Sequence, residues 1–244
     1  MLKRSMKAET MKLGRSKLWI ACLLIPCIPA IMGTFNYWQN TGILKEQWYS
    51  LWTQLTLFYA NFFYAPLIAI FCSYLWRLEH LERNWNVLMS VPVSYSDIFL
   101  AKLAVILKVT VFLQLWVGVL YIICGKLVGF QGFPPAEILW WLVRGTAAGM
   151  VIGSIQLLLS MVIRSFAIPI GIALMGSVAG FLAAASGNGM LWPYSLMVMG
   201  MNANRSEDMM SGGMIQFLAE IIIFMIIFTG AAITLLKRKD VKTS

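Results

Sequence analysis

Charged residues are scarce in this chain. Asp, Glu, Lys and Arg make up only 12% of its 244 residues, whereas hydrophobic residues make up 60%. A typical soluble domain is about 25% charged, so this composition cannot provide the polar surface that a soluble fold of this length requires. The net charge of +9 does not indicate nucleic-acid binding, because the basic residues lie between apolar segments. The sequence therefore predicts an integral membrane protein.

Residues suited to metal or nucleophilic chemistry are also lacking. His80 is the only histidine. The four cysteines form no C-x-x-C pair and lie in or beside apolar stretches, so neither a metal site nor a disulfide framework is expected. They are Cys22, Cys27, Cys72 and Cys124. The sequence contains no G-x-x-x-x-G-K-[ST], G-x-S-x-G or H-E-x-x-H motif. We therefore expect no catalytic residues, and any ATP-driven work requires a separate ATPase chain.

Six apolar segments are long enough to cross a bilayer, which takes about 20 helical residues. They are Leu18–Trp38, Leu51–Leu75, Leu103–Cys124, Ile138–Ile163, Phe166–Ala185 and Met214–Leu236. The sequence therefore predicts an all-α integral membrane protein with a single transmembrane domain over residues 1–244, in which spans three to five occupy 98–185. The first segment also resembles a cleavable signal peptide, but Pro26 and Pro29 interrupt it and no clear A-x-A site follows. This favours an uncleaved span.

The distribution of Lys and Arg predicts the orientation of the spans. Fourteen of these residues fall on one side and three on the other, and the side richer in Lys and Arg is normally cytoplasmic. The larger set is Lys3, Arg4, Lys7, Lys12, Arg15, Lys17, Arg77, Arg83, Lys102, Arg164, Lys237, Arg238, Lys239 and Lys242; the smaller is Lys45, Lys126 and Arg205. Both termini are therefore expected to be cytoplasmic, in a multi-pass protein of the cell membrane.

Residues 1–17 precede the first span and are rich in Lys and Arg. A weak apolar stripe with helical spacing runs along them, formed by Leu2, Met6, Thr10 and Leu13. This pattern predicts an amphipathic helix that lies on the anionic cytoplasmic leaflet. A disordered basic tail that only fixes the topology is the alternative.

The pattern of residues 77–92, after the second span, predicts a short amphipathic cytoplasmic helix. Its apolar residues recur at spacings of three and four and so share one face; they are Leu78, Leu81, Trp85 and Leu88. Glu79 and Arg83 form a favourable i, i+4 pair, and Pro92 ends the helix. Ser96 or Asp97 is expected to cap the helix that follows. Such a helix lies on the bilayer or binds a groove on a partner, and an ordinary surface loop is the simpler alternative.

This arrangement resembles the permease subunits of type-2 ABC exporters, in particular the small permeases of lantibiotic-immunity and bacitracin-resistance transporters. In that family a basic amphipathic helix precedes six spans. An acidic, Trp-containing segment follows the second span, and a Pro-Val-Ser-like element and a lysine come after it. The matching residues here are Glu79, Glu82, Trp85, Pro92, Val93, Ser94 and Lys102. The likeness in architecture covers the whole chain, whereas the motifs are loose and confined to residues 77–102.

The resemblance implies that residues 77–92 are a coupling helix that binds in a cleft of a cytoplasmic ABC ATPase. The implied coupling residues are Glu79, Glu82, Arg83, Trp85, Leu88 and Pro92. ATP and Mg²⁺ would be bound by that partner, in two copies, so this chain needs no cofactor of its own. A second permease subunit, identical or related, would complete the pathway within membrane lipid.

The implied function is to expel an amphipathic peptide, such as a lantibiotic, from the membrane. Alternatives are a permease that exports a lipid or another small hydrophobic compound, and a membrane sensor or assembly partner that transports nothing. A membrane enzyme is the least favoured class, because no cluster of polar groups lies at one depth.

A few polar residues lie within the predicted spans, where burial in lipid is costly. Glu220 and Gln216 share a face of the outer part of the sixth span, and Glu220 is the best candidate to face a subunit interface or a substrate cavity. Arg144, near the outer end of the fourth span, either pairs with Glu220 or extends outward to water. Gln156 can form hydrogen bonds between helices, and Lys108 is expected to extend to the cytoplasmic face.

Small residues at intervals of four indicate close helix packing in two of the spans. They are Gly145, Gly149 and Gly153 in the fourth span, and Gly176 and Gly180 in the fifth. Packing within one subunit is the simpler interpretation, and subunit dimerisation is the alternative. The resemblance further implies a re-entrant stretch between the fifth and sixth spans. Residues 189–202 fit it, because they are apolar, interrupted by Pro193 and too short to cross.

Overall fold

The protein is a bundle of membrane-length helices. The computed structural model describes residues 1–14, 16–81, 92–203, 210 and 213–238, and no strand occurs among them. Six helical segments in this part of the chain are long and apolar enough to cross a membrane, in agreement with the predicted all-α architecture with six spans. They are Leu18–Gln39, Gln47–His80, Tyr95–Val128, Glu137–Val162, Ala167–Ala185 and Met214–Arg238.

The α-helices in the described residues are numbered in chain order. They are α1 (Leu2–Gly14), α2 (Leu18–Leu24), α3 (Cys27–Gln39), α4 (Gln47–Phe58), α5 (Tyr64–His80), α6 (Tyr95–Val128), α7 (Glu137–Val162), α8 (Ala167–Ala185), α9 (Ser195–Gly200) and α10 (Met214–Arg238). A π-helical turn, Tyr59–Phe63, joins α4 to α5, and a 3₁₀ turn, Gly189–Leu191, precedes α9.

The first span is divided in two by its prolines. Helix α2 ends at Leu24 and α3 begins at Cys27. Pro26 is the N-cap of α3 and Pro29 lies in its first turn, where a missing backbone N–H costs no intrahelical hydrogen bond. The two helices together still reach the length of one span.

The second and third spans extend beyond the apolar segments that predicted them. Each is 34 residues long, about 51 Å of helix, against a hydrocarbon core of about 30 Å. Arg77–His80, expected to begin a separate helix, form the last turn of α5. Helix α6 is capped by Ser94, whose Oγ accepts a hydrogen bond from the Asp97 N–H at 3.0 Å. The prediction of a cap at Ser96 or Asp97 is therefore wrong.

Helix α5 lies at the centre of the bundle and packs against α6, α7 and α8. Large aromatic side chains fill this centre and are fully buried; they include Trp52, Tyr59, Tyr64, Phe71 and Trp76. Helix α10 packs along α6 and α7 and buries few of its side chains, among them Phe217 and Leu236. Most of its apolar surface is therefore open to lipid or to another protein.

The spans alternate in direction, which gives the bundle two ends. Helix α1, the end of α5, the start of α6 and the end of α10 share one end, called the basic end below. The other end, called the opposite end, holds the loops at 40–46 and 129–136 and the beginning of α10. Helix α1 packs along the first part of α6, so it lies against the bundle and buries Glu9 and Leu13.

Candidate functional site

Four charged side chains meet inside the basic end of the bundle. Glu9 and Lys12 come from α1, Glu79 from the last turn of α5, and Lys102 from the third turn of α6. They are called the four-charge cluster. Glu79 and Lys102 belong to α5 and α6, the helices on either side of residues 82–91 in the sequence. The cluster therefore joins α1 to both of these helices.

The charges alternate in sign around a closed ring. The Lys12 Nζ lies 2.7 Å from Glu9 Oε1 and 2.6 Å from Glu79 Oε1. The Lys102 Nζ lies 2.8 Å from Glu9 Oε2 and 3.0 Å from Glu79 Oε1. Each lysine thus binds both carboxylates, and the ring carries no net charge.

Lys102 is the most deeply buried member, with no exposed surface. Besides the two carboxylates, its ammonium donates to the Leu75 carbonyl at 3.1 Å. An ammonium group has three N–H donors, and here each has an acceptor. The Nζ also lies 4.9 Å from the centre of the Trp76 ring, a favourable cation–π distance. Every hydrogen-bond donor of the buried Lys102 ammonium is therefore satisfied within the protein.

Burial makes these ion pairs depend strongly on one another. Charges removed from water lose several kcal/mol of hydration, which only close opposite charges and hydrogen bonds can offset. Lys12 lies at the rim, with 35% of its side chain exposed. Partial burial lowers the pKa of Lys12, but the neighbouring Glu9 and Glu79 carboxylates outweigh it and raise that pKa above the ordinary value of 10.5. Lys12 is thus protonated at neutral pH.

Of the six predicted coupling residues, the structure describes only Glu79 and Pro92, and their environments differ. Glu79 was expected to face an ATPase, but its side chain is buried and bound to the two lysines. Pro92 is exposed at the basic end. The other four fall outside the described residues; they are Glu82, Arg83, Trp85 and Leu88. A role in ATPase coupling for all six stays a prediction.

Sequence reasoning missed Glu9 and Lys12 as site residues. Glu9 is the one acidic residue in the first 17, and it lies three residues after Met6 and four before Leu13. It therefore falls on the stripe that predicted the buried face of α1, and an acidic residue on that stripe was the available signal. Its partner Lys102 is 93 residues away, too far for a local pattern to pair the two.

Buried polar contacts also link the helices at greater depth. The Gln156 Nε2 donates to the Tyr194 hydroxyl at 2.7 Å, and the Tyr64 and Thr110 hydroxyls lie 3.0 Å apart. Tyr194 belongs to the segment 189–202 and packs against Gly176, near the middle of α8. This segment therefore folds back into the bundle, and α9 is buried against α7 and α8.

The other predicted polar residues are dispersed. Arg144 is only 3% exposed, so its side chain lies inside the protein and does not extend outward to water. Glu220 is half-buried and Gln216 is exposed on α10, and the ion pairs among the described residues do not include one between Glu220 and Arg144. The Lys108 ammonium donates to Thr10 Oγ1 of α1 at 2.9 Å.

The predicted small residues lie where neighbouring groups approach the helix backbone. A Cβ on any of them would come within 3.0 Å of another residue of the same chain. Gly145 faces Gln114 and Met201, Gly149 faces Tyr64 and Thr110, Gly153 faces Ile106, Gly176 faces Tyr194, and Gly180 faces Ser195. The five glycines therefore allow close packing within this chain.

The fold and the buried cluster describe a helical membrane protein with six spans and a charged junction at one end. A family model described as "ABC-2 family transporter protein" matches residues 5–180. The match extends from α1 into α8 and includes the four-charge cluster. No curated protein and no solved structure gives a significant match.

The matched region is more than half of the chain, so the chain belongs to the ABC-2 family of transporter proteins. It is a multi-pass membrane protein and a permease of a transporter, and permeases of this family typically work with a cytoplasmic ATPase. The resemblance to type-2 ABC permeases is thus confirmed at the level of the family. The likeness to lantibiotic-immunity permeases stays a prediction.

Proposed function

We propose that this chain is the membrane subunit of an ATP-driven exporter, and that the exporter expels an amphipathic peptide such as a lantibiotic from the membrane. The basic end would be cytoplasmic and hold both termini, because it carries most of the Lys and Arg residues. Two copies of an ATPase would bind there, and a second permease subunit, identical or related, would complete the translocation path.

The four-charge cluster is the observation that carries the proposal. It joins α1 to the end of α5 and to the start of α6, and in the sequence these two helices flank residues 82–91 of the predicted ATPase-binding segment. A displacement of that segment by an ATPase would move the ends of α5 and α6. Because buried ion pairs hold α1 to both ends, the three helices would move together. The second span, which ends with α5, and the third span, which is α6, are each about 51 Å long and could carry this movement across the membrane.

The outer half of the bundle offers groups that could change partners during such a movement. The Gln156–Tyr194 hydrogen bond joins α7 to the segment 189–202, and the Trp52 Nε1 donates to the Met201 carbonyl at 2.8 Å. The half-buried Glu220 lies on α10, most of whose surface is uncovered. We propose that this surface faces the second permease subunit or the substrate path.

Recovery of the ATPase on affinity purification of the tagged chain tests the proposal. Trp85→Ala should release the ATPase while the permease still inserts, because large aromatic anchors often contribute about 2 kcal/mol or more to an interface. The matched control is Trp140→Ala, which truncates an exposed tryptophan near the opposite end. It should leave recovery unchanged.

Equal recovery of the ATPase with the unsubstituted chain, Trp85→Ala and Trp140→Ala would contradict ATPase binding through residues 77–92. It would instead favour a helix that lies on lipid, as in a membrane sensor. The substrate is tested separately, by the lantibiotic tolerance of cells that produce the permease with its ATPase. If tolerance does not rise above that of cells with the ATPase alone, the peptide is not the substrate, whereas the assignment of the chain as a permease is unaffected.

A further inference from the structure

We propose that a groove between α6 and α7 at the opposite end binds one acyl chain of an anionic phospholipid, with the lipid phosphate on Lys126. The groove is distinct from the four-charge cluster and from the predicted ATPase-binding segment. It therefore predicts a lipid-binding property that does not depend on the transported substrate or on the ATPase.

The groove is open toward the surface of the bundle and has a volume of about 360 Å³, within the range of small-molecule binding sites. Leu115, Val119 and Ile122 of α6 form one wall, and Leu139 and Leu142 of α7 form the other. Residues 133–136, in the loop between the two helices, also line the groove, and its upper end is the one that lies farther from the basic end.

The interior of the groove favours hydrocarbon. Its walls are aliphatic and aromatic, and the hydroxyl of Tyr121, which also lines it, donates to the Trp48 carbonyl at 2.7 Å. That hydroxyl is therefore engaged within the protein. A polar ligand buried here would lose hydrogen bonds to water without replacing them, whereas an acyl chain would lose none.

The length of the groove matches one leaflet of a bilayer. Leu115 at its lower end and Lys126 at its upper rim are eleven residues apart on α6, which is about 16 Å of helix. Half of the hydrocarbon core is about 15 Å thick. An acyl chain along the groove would therefore place its headgroup near the level of Lys126.

The upper end of the groove is held in place by the rest of the protein. Helix α6 ends at Val128, and the next residue, Gly129, has a φ of 98° that permits the turn into the loop. Phe130 is buried against the rings of Tyr37 and Trp48. The Trp48 Nε1 donates to the Gln131 carbonyl at 3.2 Å. A site formed before binding loses less entropy when the ligand enters.

Lys126 gives this rim an affinity for anions. Its ammonium lies 5.6 Å from the centre of the Phe133 ring, which lines the groove, and it donates to the Gly132 carbonyl. Within the described part of the chain it forms no ion pair. The side chain is exposed, so it can donate further hydrogen bonds to a phosphate. An exposed lysine at the membrane surface favours anionic over zwitterionic headgroups.

Native mass spectrometry of the full chain, titrated with phosphatidylglycerol or phosphatidylcholine in detergent, tests the headgroup preference. One phosphatidylglycerol should bind per chain, about fivefold more tightly than phosphatidylcholine. Lys126→Gln should abolish this preference, and Lys126→Arg should keep it. The matched control is Lys45→Gln, which removes another exposed lysine at the same end and should keep it as well. A preference that survives Lys126→Gln would overturn the assignment of Lys126.

A second pair of variants tests the groove itself. Val119→Phe fills it and should prevent retention of both lipids, whereas Ile123→Phe enlarges an exposed residue of α6 outside the lining and should not. Size-exclusion elution verifies that both variants fold. Lipid retention by Val119→Phe equal to that of the unsubstituted chain would overturn the proposal. If Val119→Phe retained lipid but lost lantibiotic binding, the groove would instead be a peptide site.

Discussion

Lys102 illustrates how a charge can be stable inside a membrane protein. Its ammonium is fully buried, yet all three N–H donors have acceptors in Glu9, Glu79 and the Leu75 carbonyl. Removal of one partner from a buried ion pair typically costs about 3–5 kcal/mol, because the remaining charge stays buried without compensation. The four charges therefore stabilise the junction only as a complete set.

Lys102→Met should strongly destabilise the protein, since it leaves Glu9 and Glu79 buried with only the partly exposed Lys12 between them. The expected cost is about 3–5 kcal/mol, measured as a lower midpoint of thermal unfolding in detergent. Lys108→Met is the matched control, because Lys108 lies on the same helix with its ammonium exposed. It should change stability by about 0.5 kcal/mol or less. Equal midpoints for the two variants would show that the buried ion pairs contribute nothing.

At the scale of single residues, the sequence predicted the type of some groups but not their partners. Lys102 matched a family motif and Glu79 was expected to pair with Arg83 and to take part in coupling, yet nothing local in the sequence indicated that Lys102 and Glu79 bind each other. Arg144 was expected either to pair with Glu220 or to extend outward to water, whereas the fold of other segments around α7 buries its side chain. Long-range packing decides such contacts.

At the scale of elements, α1 shows what a periodic pattern can and cannot predict. The stripe of Leu2, Met6, Thr10 and Leu13 predicted a helix with one covered face, and α1 has that form. The stripe could not distinguish a lipid surface from α6 as the covering partner. Ion pairs with Glu79 and Lys102 supply that specificity.

The ion pairs of α1 should persist over a wide pH range on the alkaline side. The pKa of Lys12 is raised above 10.5 in the folded protein, so its charge contributes stability that is fully present below the unfolded pKa. This contribution is lost only as the pH rises through the raised pKa. Neutral to mildly alkaline conditions should therefore leave the contact of α1 with the bundle unchanged.

Packing of α7 against α5 and α6 gives a second prediction. Gly149→Ala would place a Cβ against the Tyr64 hydroxyl and the Thr110 methyl, and such overpacking typically costs about 1–3 kcal/mol. Gly230→Ala is the matched control, because a Cβ there meets no neighbour within 4 Å. Within a helix, alanine is also more stable than glycine. Thermal unfolding should show a lower midpoint for the first and an unchanged or higher one for the second. The reverse order would refute the packing described for Gly149.

At the scale of the whole molecule, hydropathy predicted the number of spans because each span carries its own signal. The span limits were less well predicted. Helices α5 and α6 run beyond the apolar segments because helical hydrogen bonding continues into polar sequence, as at Arg77–His80. A re-entrant stretch at residues 189–202 was expected from the family resemblance and stays a prediction. Hydropathy could not indicate the contacts of Tyr194 with Gln156 and Gly176, since they involve distant parts of the chain.

The predicted orientation can be measured by cysteine labelling. A cysteine at Lys45 should react with a membrane-impermeant maleimide in intact cells, because Lys45 is exposed at the opposite end. A cysteine at Arg238, exposed at the basic end, should react only after permeabilisation. The unsubstituted chain corrects for its four native thiols. The opposite labelling pattern would invert the topology and place the four-charge cluster outside the cell.

ATP hydrolysis by the reconstituted transporter tests the central claim most directly. The chain, its ATPase and any second permease subunit are placed in lipid vesicles, and hydrolysis is measured with and without a lantibiotic peptide. The account predicts that the peptide stimulates hydrolysis, and that Trp85→Ala abolishes the stimulation while Trp140→Ala preserves it. Hydrolysis that is equal with and without the chain, or unchanged by Trp85→Ala, would contradict the claim that this permease couples to an ATPase through residues 77–92.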